Sequence, residues 1–344
     1  MNNEWYQKVK CAIKAPNGEE MRALLEVVQR TGVYEQRSSA LHRACTVLLE
    51  EQTADQPYSI SWLLNRLGNA GLPPSHANYL GLEVFPVFDP QMSSAQLGRA
   101  TFRFVYDLLA TLLEAPRLAS HPLRERLERC VNRIQEKCRD YVFSKAPVLA
   151  IPRYAVEISL LPQSNQPNEL IFLRTLQCTD SIFFTASILI EKANELIEYG
   201  DVVEAIVALH WLACLLSLLV PLLRPLICMS VESWLVIRLS IAQPSAIQST
   251  YFHKLCAQLN QLRRILDHSH MPKEQLRYIA ICSELLELSY KSISLWYNAH
   301  VKIAAKYGQA SATYKPKGVV WLEKQRPFYA FDKSSTPVEV IPSS

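Results

Sequence analysis

Glycine is scarce, with nine residues in 344. A sandwich or barrel that turns every eight to twelve residues draws on many more, so an all-β fold is excluded by composition. The glycines present form neither a G-x-G-x-x-G fingerprint nor a G-x-x-x-x-G-K-[ST] loop, which removes the usual dinucleotide and nucleoside-triphosphate signatures. Cys-x-x-Cys, His-Glu-x-x-His and G-x-S-x-G are absent as well, and with them the common zinc, thiol-redox and hydrolase motifs. No block of one charge sign exists. Thirty-six basic and 32 acidic side chains leave a net +4 spread along the chain, without a basic stripe interleaved with aromatics, so no nucleic-acid partner is expected. The opening Met1-Asn2-Asn3-Glu4-Trp5-Tyr6 lacks the basic and apolar regions of an export signal. The nine cysteines are odd in number, scattered and set in apolar runs, and read as reduced, buried thiols of a cytoplasmic protein.

What is abundant is Leu, Ala, Glu, Gln and Arg, a helical composition, and the fold class expected is all-α. Apolar residues recur at three- and four-residue steps through Met21–Val28, Ser38–Glu50, Gly98–Leu113 and Leu123–Tyr141. Proline-rich connectors, at 53–59 and 71–90, separate them. A second break runs from Ala146-Pro147 to Pro167, and a boundary is placed near residue 160. Beyond it the pattern predicts longer helices over Asn168–Tyr199, Val202–Leu223, Ser230–Leu239, Ser249–Leu266 and Lys273–Tyr307. The division expected is a helical N-terminal region over 1–160, serving as a lid or oligomer contact, a bundle over 161–332, and a disordered tail over 333–344.

One stretch calls for a membrane test. Ala205 to Leu223 holds no Asp, Glu, Lys or Arg and is long enough to span, yet His210 and Ser217 interrupt it and Pro221 and Pro225 close it. The expectation is a fully buried core helix and no membrane.

Among the histidines, His300 stands in Trp296-Tyr297-Asn298-Ala299-His300-Val301-Lys302-Ile303-Ala304, one imidazole beside small residues on a long amphipathic segment. That is how a helix offers an axial ligand to a heme, although a structural histidine is the competing reading. His210 and Cys214 lie one turn apart on one helix face; two ligands are not a metal site, and His210 is expected to be a buried histidine bonded to backbone. His268 and His270 are expected in an exposed turn. Arg174 and Arg238 are candidates for a carboxylate partner, with a solvated position as the alternative.

From about residue 168 onward the order of features resembles the tryptophan 2,3-dioxygenase superfamily of heme-dependent aromatic oxygenases. Ile171-Phe172-Leu173-Arg174-Thr175-Leu176-Gln177, running on to Phe183-Phe184, is similar to the distal helix. Ala208-Leu209-His210-Trp211-Leu212 is similar to the family's Leu-His-Arg helix. Gln243-Pro244-Ser245-Ala246-Ile247-Gln248-Ser249 resembles the loop written Pro-Ala-Ser-Gly-Phe-Gln-Ser. Trp296-x-x-x-His300 stands where the family places its proximal ligand, and Gly318-Val319-Val320-Trp321-Leu322-Glu323-Lys324 where a segment closes over substrate. The resemblance implies a helical bundle of the dioxygenase type with an added N-terminal region. It also implies heme b bound by His300, with Gln248 and Ser249 shaping the distal loop.

The departures redirect the chemistry. Leu176 stands in place of the family's distal histidine, and His253 in place of its substrate-carboxylate arginine. The Gly-Thr-Gly-Gly-Ser loop has no counterpart between Gly308 and Trp321. A distal histidine can move a proton to or from substrate or oxidant, so His253 is the candidate catalytic acid–base. This pattern is closer to the heme-dependent tyrosine hydroxylases of natural-product pathways. Some of these attach heme through a cysteine four residues past the axial histidine; here that residue is Ala304, which implies non-covalent heme. The activity implied is hydroxylation of an aromatic amino acid, a tyrosine-like phenol, with dioxygen or hydrogen peroxide as oxidant, in antibiotic-type biosynthesis. Relatives form dimers and tetramers, which implies a homo-oligomer. Dioxygenative opening of an indole ring is one alternative, and a non-enzymatic helical interaction protein is the other.

Overall fold

A computed structural model describes residues 91–115, 118–142, 166–240, 249–268 and 276–309. The expected helices before residue 90, the loop carrying Gln248, His270 and the segments after 309 lie outside the described residues. The described chain is helical, with no strand among the described residues: α1 (Ser94–Glu114), α2 (Arg124–Val142), α3 (Asn168–Glu198), α4 (Val202–Leu216), α5 (Leu219–Leu222), a 3-10 turn (Pro225–Cys228), α6 (Val231–Ser240), α7 (Thr250–His268) and α8 (Leu276–Gln309).

Local signals set the ends. Ser93 opens α1 with a capping box: its hydroxyl accepts from the Gln96 N–H at 3.3 Å and the Gln96 side chain accepts from the Ser93 N–H at 2.9 Å. α3 stops at Gly200, which takes φ 84, a value that carries little strain only without a Cβ. There the Gly200 N–H donates to the Ile197 carbonyl and the Asp201 N–H to that of Leu196, the paired bonds of a Schellman closure. Asp201 then caps α4 by accepting from the Glu204 N–H. The chain therefore reverses between two long helices in three residues.

α3 is the centre. From Asn168 to Ile190 every residue is buried except Phe184, which is half-buried. α1, α4, α6 and α7 pack around it. Among these, α3, α4, α8 and α7 form a ring in that order, each packed on the next, which leaves α3 and α8 at opposite corners. α1 packs on α3 and α4 and carries α2 with it, so both described helices from before residue 160 join the same packed body.

The apolar stretch from Val202 to Cys228, 27 residues at a mean hydropathy of 2.4, is long and apolar enough to cross a membrane. Half of that apolar window is buried inside the fold. Its regular α-helical bonding is interrupted: α4 ends at Leu216 after 15 residues, and α5 and the 3-10 turn follow after Ser217-Leu218 and Leu223-Arg224. The expectation of full burial is corrected here. α4 buries Val202, Ala205, Ala208, Leu209, Leu212, Leu215 and Leu216, while Val203 and His210 are exposed on the other side.

α1, α2 and α4 meet in an aromatic wedge. Phe102 stacks on Tyr141 at 4.2 Å between centroids, and Trp211 stands edge-on to both at 6.2 and 5.4 Å. Gly98 makes room for it, since a Cβ there would lie 2.2 Å from the Trp211 ring. Alanine in mid-helix is worth about 0.5–1 kcal/mol over glycine. Overpacking costs about 1–3 kcal/mol, so the clash should win. Gly98→Ala is expected to lower the urea midpoint, and a higher midpoint would show that Trp211 is not seated on Gly98.

Candidate functional site

α8 presents one heptad seam to the interior: Ile293, Trp296, His300, Ala304 and Tyr307. Its two ends are closed. Trp296 is fully buried, 5.1 Å from Phe183 of α3 and 5.2 Å from Phe252 of α7 between ring centroids. Tyr307 is buried 5.2 Å from Trp234 of α6, which in turn stands 5.1 Å from Phe172 of α3. The Tyr307 hydroxyl donates to the carbonyls of Leu226 and Met229, tying the end of α8 to the 3-10 turn. Phe172 to Phe183 on α3 and Trp296 to Tyr307 on α8 thus run antiparallel and are held apart by aromatic spacers.

Between these closures the seam opens. His300 and Ala304 are half-buried, as are Ala299, Val301 and Ile303. The His300 ring lies 5.3 Å from Trp296, tilted by 33°. Its surroundings favour the uncharged form: burial lowers its pKa from the ordinary 6.5 to about 4. His300 is therefore a neutral imidazole at neutral pH, the protonation state that a metal requires. The Trp296 indole N–H, one turn earlier, is buried with no hydrogen-bond partner among the described residues. The Gln258 and Thr175 side-chain oxygens share that condition on α7 and α3.

These features fit a heme. A planar group between antiparallel helices needs a neutral imidazole, small residues beside it and an aromatic, water-poor wall, and His300, Ala304 and the Trp296 cluster supply them. Among the described residues no group of three or more His, Cys, Asp or Glu could hold a bare metal ion.

The other expected site residues lie at varying distance from this opening. Ser249 is fully buried, and its hydroxyl accepts from the Phe252 N–H at 3.4 Å, so it caps α7 and fixes where Phe252 points. His253 follows on the same first turn and is exposed, while Phe252 turns inward to Trp296. The path from His253 to His300 runs through those two rings, with centroids 5.9 Å apart at its first step. Gln248 lies outside the described residues. Arg174 is not solvated: it is fully buried and donates to the Gln177 side chain at 2.7 Å.

His210 corrects an expectation. It is exposed, not buried, because α4 packs by its opposite face, and its Nε2 lies 3.6 Å from Cys214 Sγ rather than on backbone. His268 is exposed at the end of α7, its ring 2.8 Å from the Arg264 carbonyl. The role of Tyr307 was not read from the sequence, although the spacing of Trp296, His300 and Tyr307 along one seam was a usable signal; Trp234, expected as a core aromatic, packs between Tyr307 and Phe172.

A pH dependence follows from His300. Above about pH 6.5 it is neutral in both folded and unfolded chains and contributes nothing. As pH falls toward 4 the unfolded chain takes a proton that the folded one refuses, so stability is lost across that window, by about 1–3 kcal/mol. In ligand-free protein, His300→Gln should therefore lose less stability than wild type between pH 6.5 and 4 in urea titrations. Equal losses would remove the argument.

No protein-family model matches this chain, and neither does any curated protein or solved structure.

Proposed function

We propose that the protein is a heme-dependent oxygenase that hydroxylates the ring of an aromatic amino acid or derivative, a tyrosine-like phenol. The observation that carries this reading is the opening of the α8 seam at one histidine whose burial keeps it neutral. Of the motifs that resemble the tryptophan 2,3-dioxygenase superfamily, those at 171–184, 208–212 and 296–300 lie on α3, α4 and α8, while residues 243–248 and 318–324 lie outside the described residues.

Heme b, when bound, supplies the oxidising chemistry and the activation of dioxygen or peroxide. His300 would hold it through its neutral imidazole. Trp296, Phe183 and Phe252 exclude water on the closed side, lowering the local dielectric around the ligand. Ser249 positions the first turn of α7, and His253, exposed on that turn, would serve as proton donor and acceptor to a substrate held at its solvent side. Arg174 offers a buried guanidinium to a substrate or propionate carboxylate.

Protein produced with added heme precursor should show a Soret band that shifts on reduction and on binding carbon monoxide, in a histidine-ligated pattern. His253→Ala should retain that band and reduce conversion of a tyrosine-like phenol to its catechol by about 100-fold or more. A colourless protein after reconstitution would sink the reading. A kynurenine-type product from an indole substrate would replace hydroxylation with ring cleavage.

A further inference from the structure

The outward face of α4 carries a cluster that the heme reading does not use. Cys214 is half-buried there, one turn after exposed His210, and the His210 Nε2 lies 3.6 Å from its Sγ. From α2, 73 residues away in sequence, the Tyr141 hydroxyl donates to the same sulfur at 3.5 Å. A thiol thus has an imidazole on one side, able to take its proton, and a phenol on the other, able to stabilise the charge left behind. The Tyr141 proton is firmly held: the bond to Cys214 is the largest reason its pKa is pushed up to about 12, with burial next. Among the described cysteines, Cys138, Cys178, Cys228, Cys256 and Cys282 are buried, and burial raises their pKa.

The surroundings state what could reach the sulfur. Tyr141 is stacked on Phe102 and stands edge-on to Trp211, and Arg99 lies 5.8 Å over the Trp211 ring. Val207, one turn before His210 on α4, is half-buried on the same stripe. A thiol at the rim of an aromatic wall favours a flat, apolar, conjugated partner over a hydrated one.

We propose that Cys214, His210 and Tyr141 form a covalent modification site for an α,β-unsaturated carbonyl compound. His210 takes the thiol proton through Nε2 while Tyr141 donates to the sulfur. The sulfur lone pair forms the S–C bond at the β-carbon, and the electron pair of the C=C bond moves toward the carbonyl. The proton then passes from the imidazolium to the α-carbon. The net change is addition of S–H across C=C, with no oxidant or reductant consumed. The reaction takes place at α4 and α2, outside the His300 opening, and does not depend on heme.

The probe is N-ethylmaleimide at less than one equivalent on the full chain, with modified peptides quantified by mass spectrometry. Cys130 is the internal reference, since it is also half-buried but has the Cys228 thiol as its neighbour instead of an imidazole. Cys214 should react about tenfold or more faster than Cys130. His210→Ala, a change at an exposed position, should bring it to the Cys130 rate, and Tyr141→Phe should slow it several-fold. Equal rates for the two cysteines in the unmodified protein would overturn the proposal before any variant is made. So would an undiminished Cys214 rate in His210→Ala.

Discussion

The all-round burial of α3 is the constraint on which the rest of the structure depends. A helix enclosed over more than twenty residues satisfies its backbone internally, but its polar side chains must find partners without water. Several turn back on the helix itself: Thr179, Ser181 and Ser187 donate to the carbonyls of Thr175, Cys178 and Phe184. Thr185 reaches Thr101 of α1 at 2.7 Å, one buried bond that fixes the register of two helices against each other. With α3 held in this way, α4 and α7 are seated on its two sides and α8 is left at the far corner.

The spacing across that diagonal is then set by rings rather than by close helix contact. Phe183 with Trp296, and Phe172 through Trp234 to Tyr307, span it at two levels about three helical turns apart. Between the levels α8 carries the half-buried His300 and Ala304. Burial there lowers the pKa of the imidazole and keeps it neutral.

How much of this could be read from residues alone differs by level. The helices α1, α2, α3, α7 and α8 were legible because their apolar steps are regular, and the end of α3 because Gly200 is followed by the capping Asp201. α4 was legible as a helix from Val202, but its inward face was not, because an apolar helix with so few polar residues gives no periodicity to say which face turns inward. For that reason His210 was misplaced and the exposed side went unseen. The seat of Trp211 on Gly98 and the approach of Tyr141 to Cys214 join residues more than seventy positions apart, and no local pattern encodes either. His300 was legible as a candidate from its small neighbours, but its neutral state depends on the fold. Ser249 was legible as a position, and its hydroxyl serves the start of α7.

The most direct test of the central claim is chemical rescue at position 300. His300→Gly, reconstituted with heme in the presence and absence of free imidazole, would be followed by the visible spectrum and by the iron–imidazole vibration in resonance Raman. The account predicts loss of the histidine-ligated spectrum in the variant and its return when imidazole is added, because the small molecule fills the space that the side chain left. A variant whose spectrum matches wild type without imidazole would contradict it, since iron would then be held by another residue or by none.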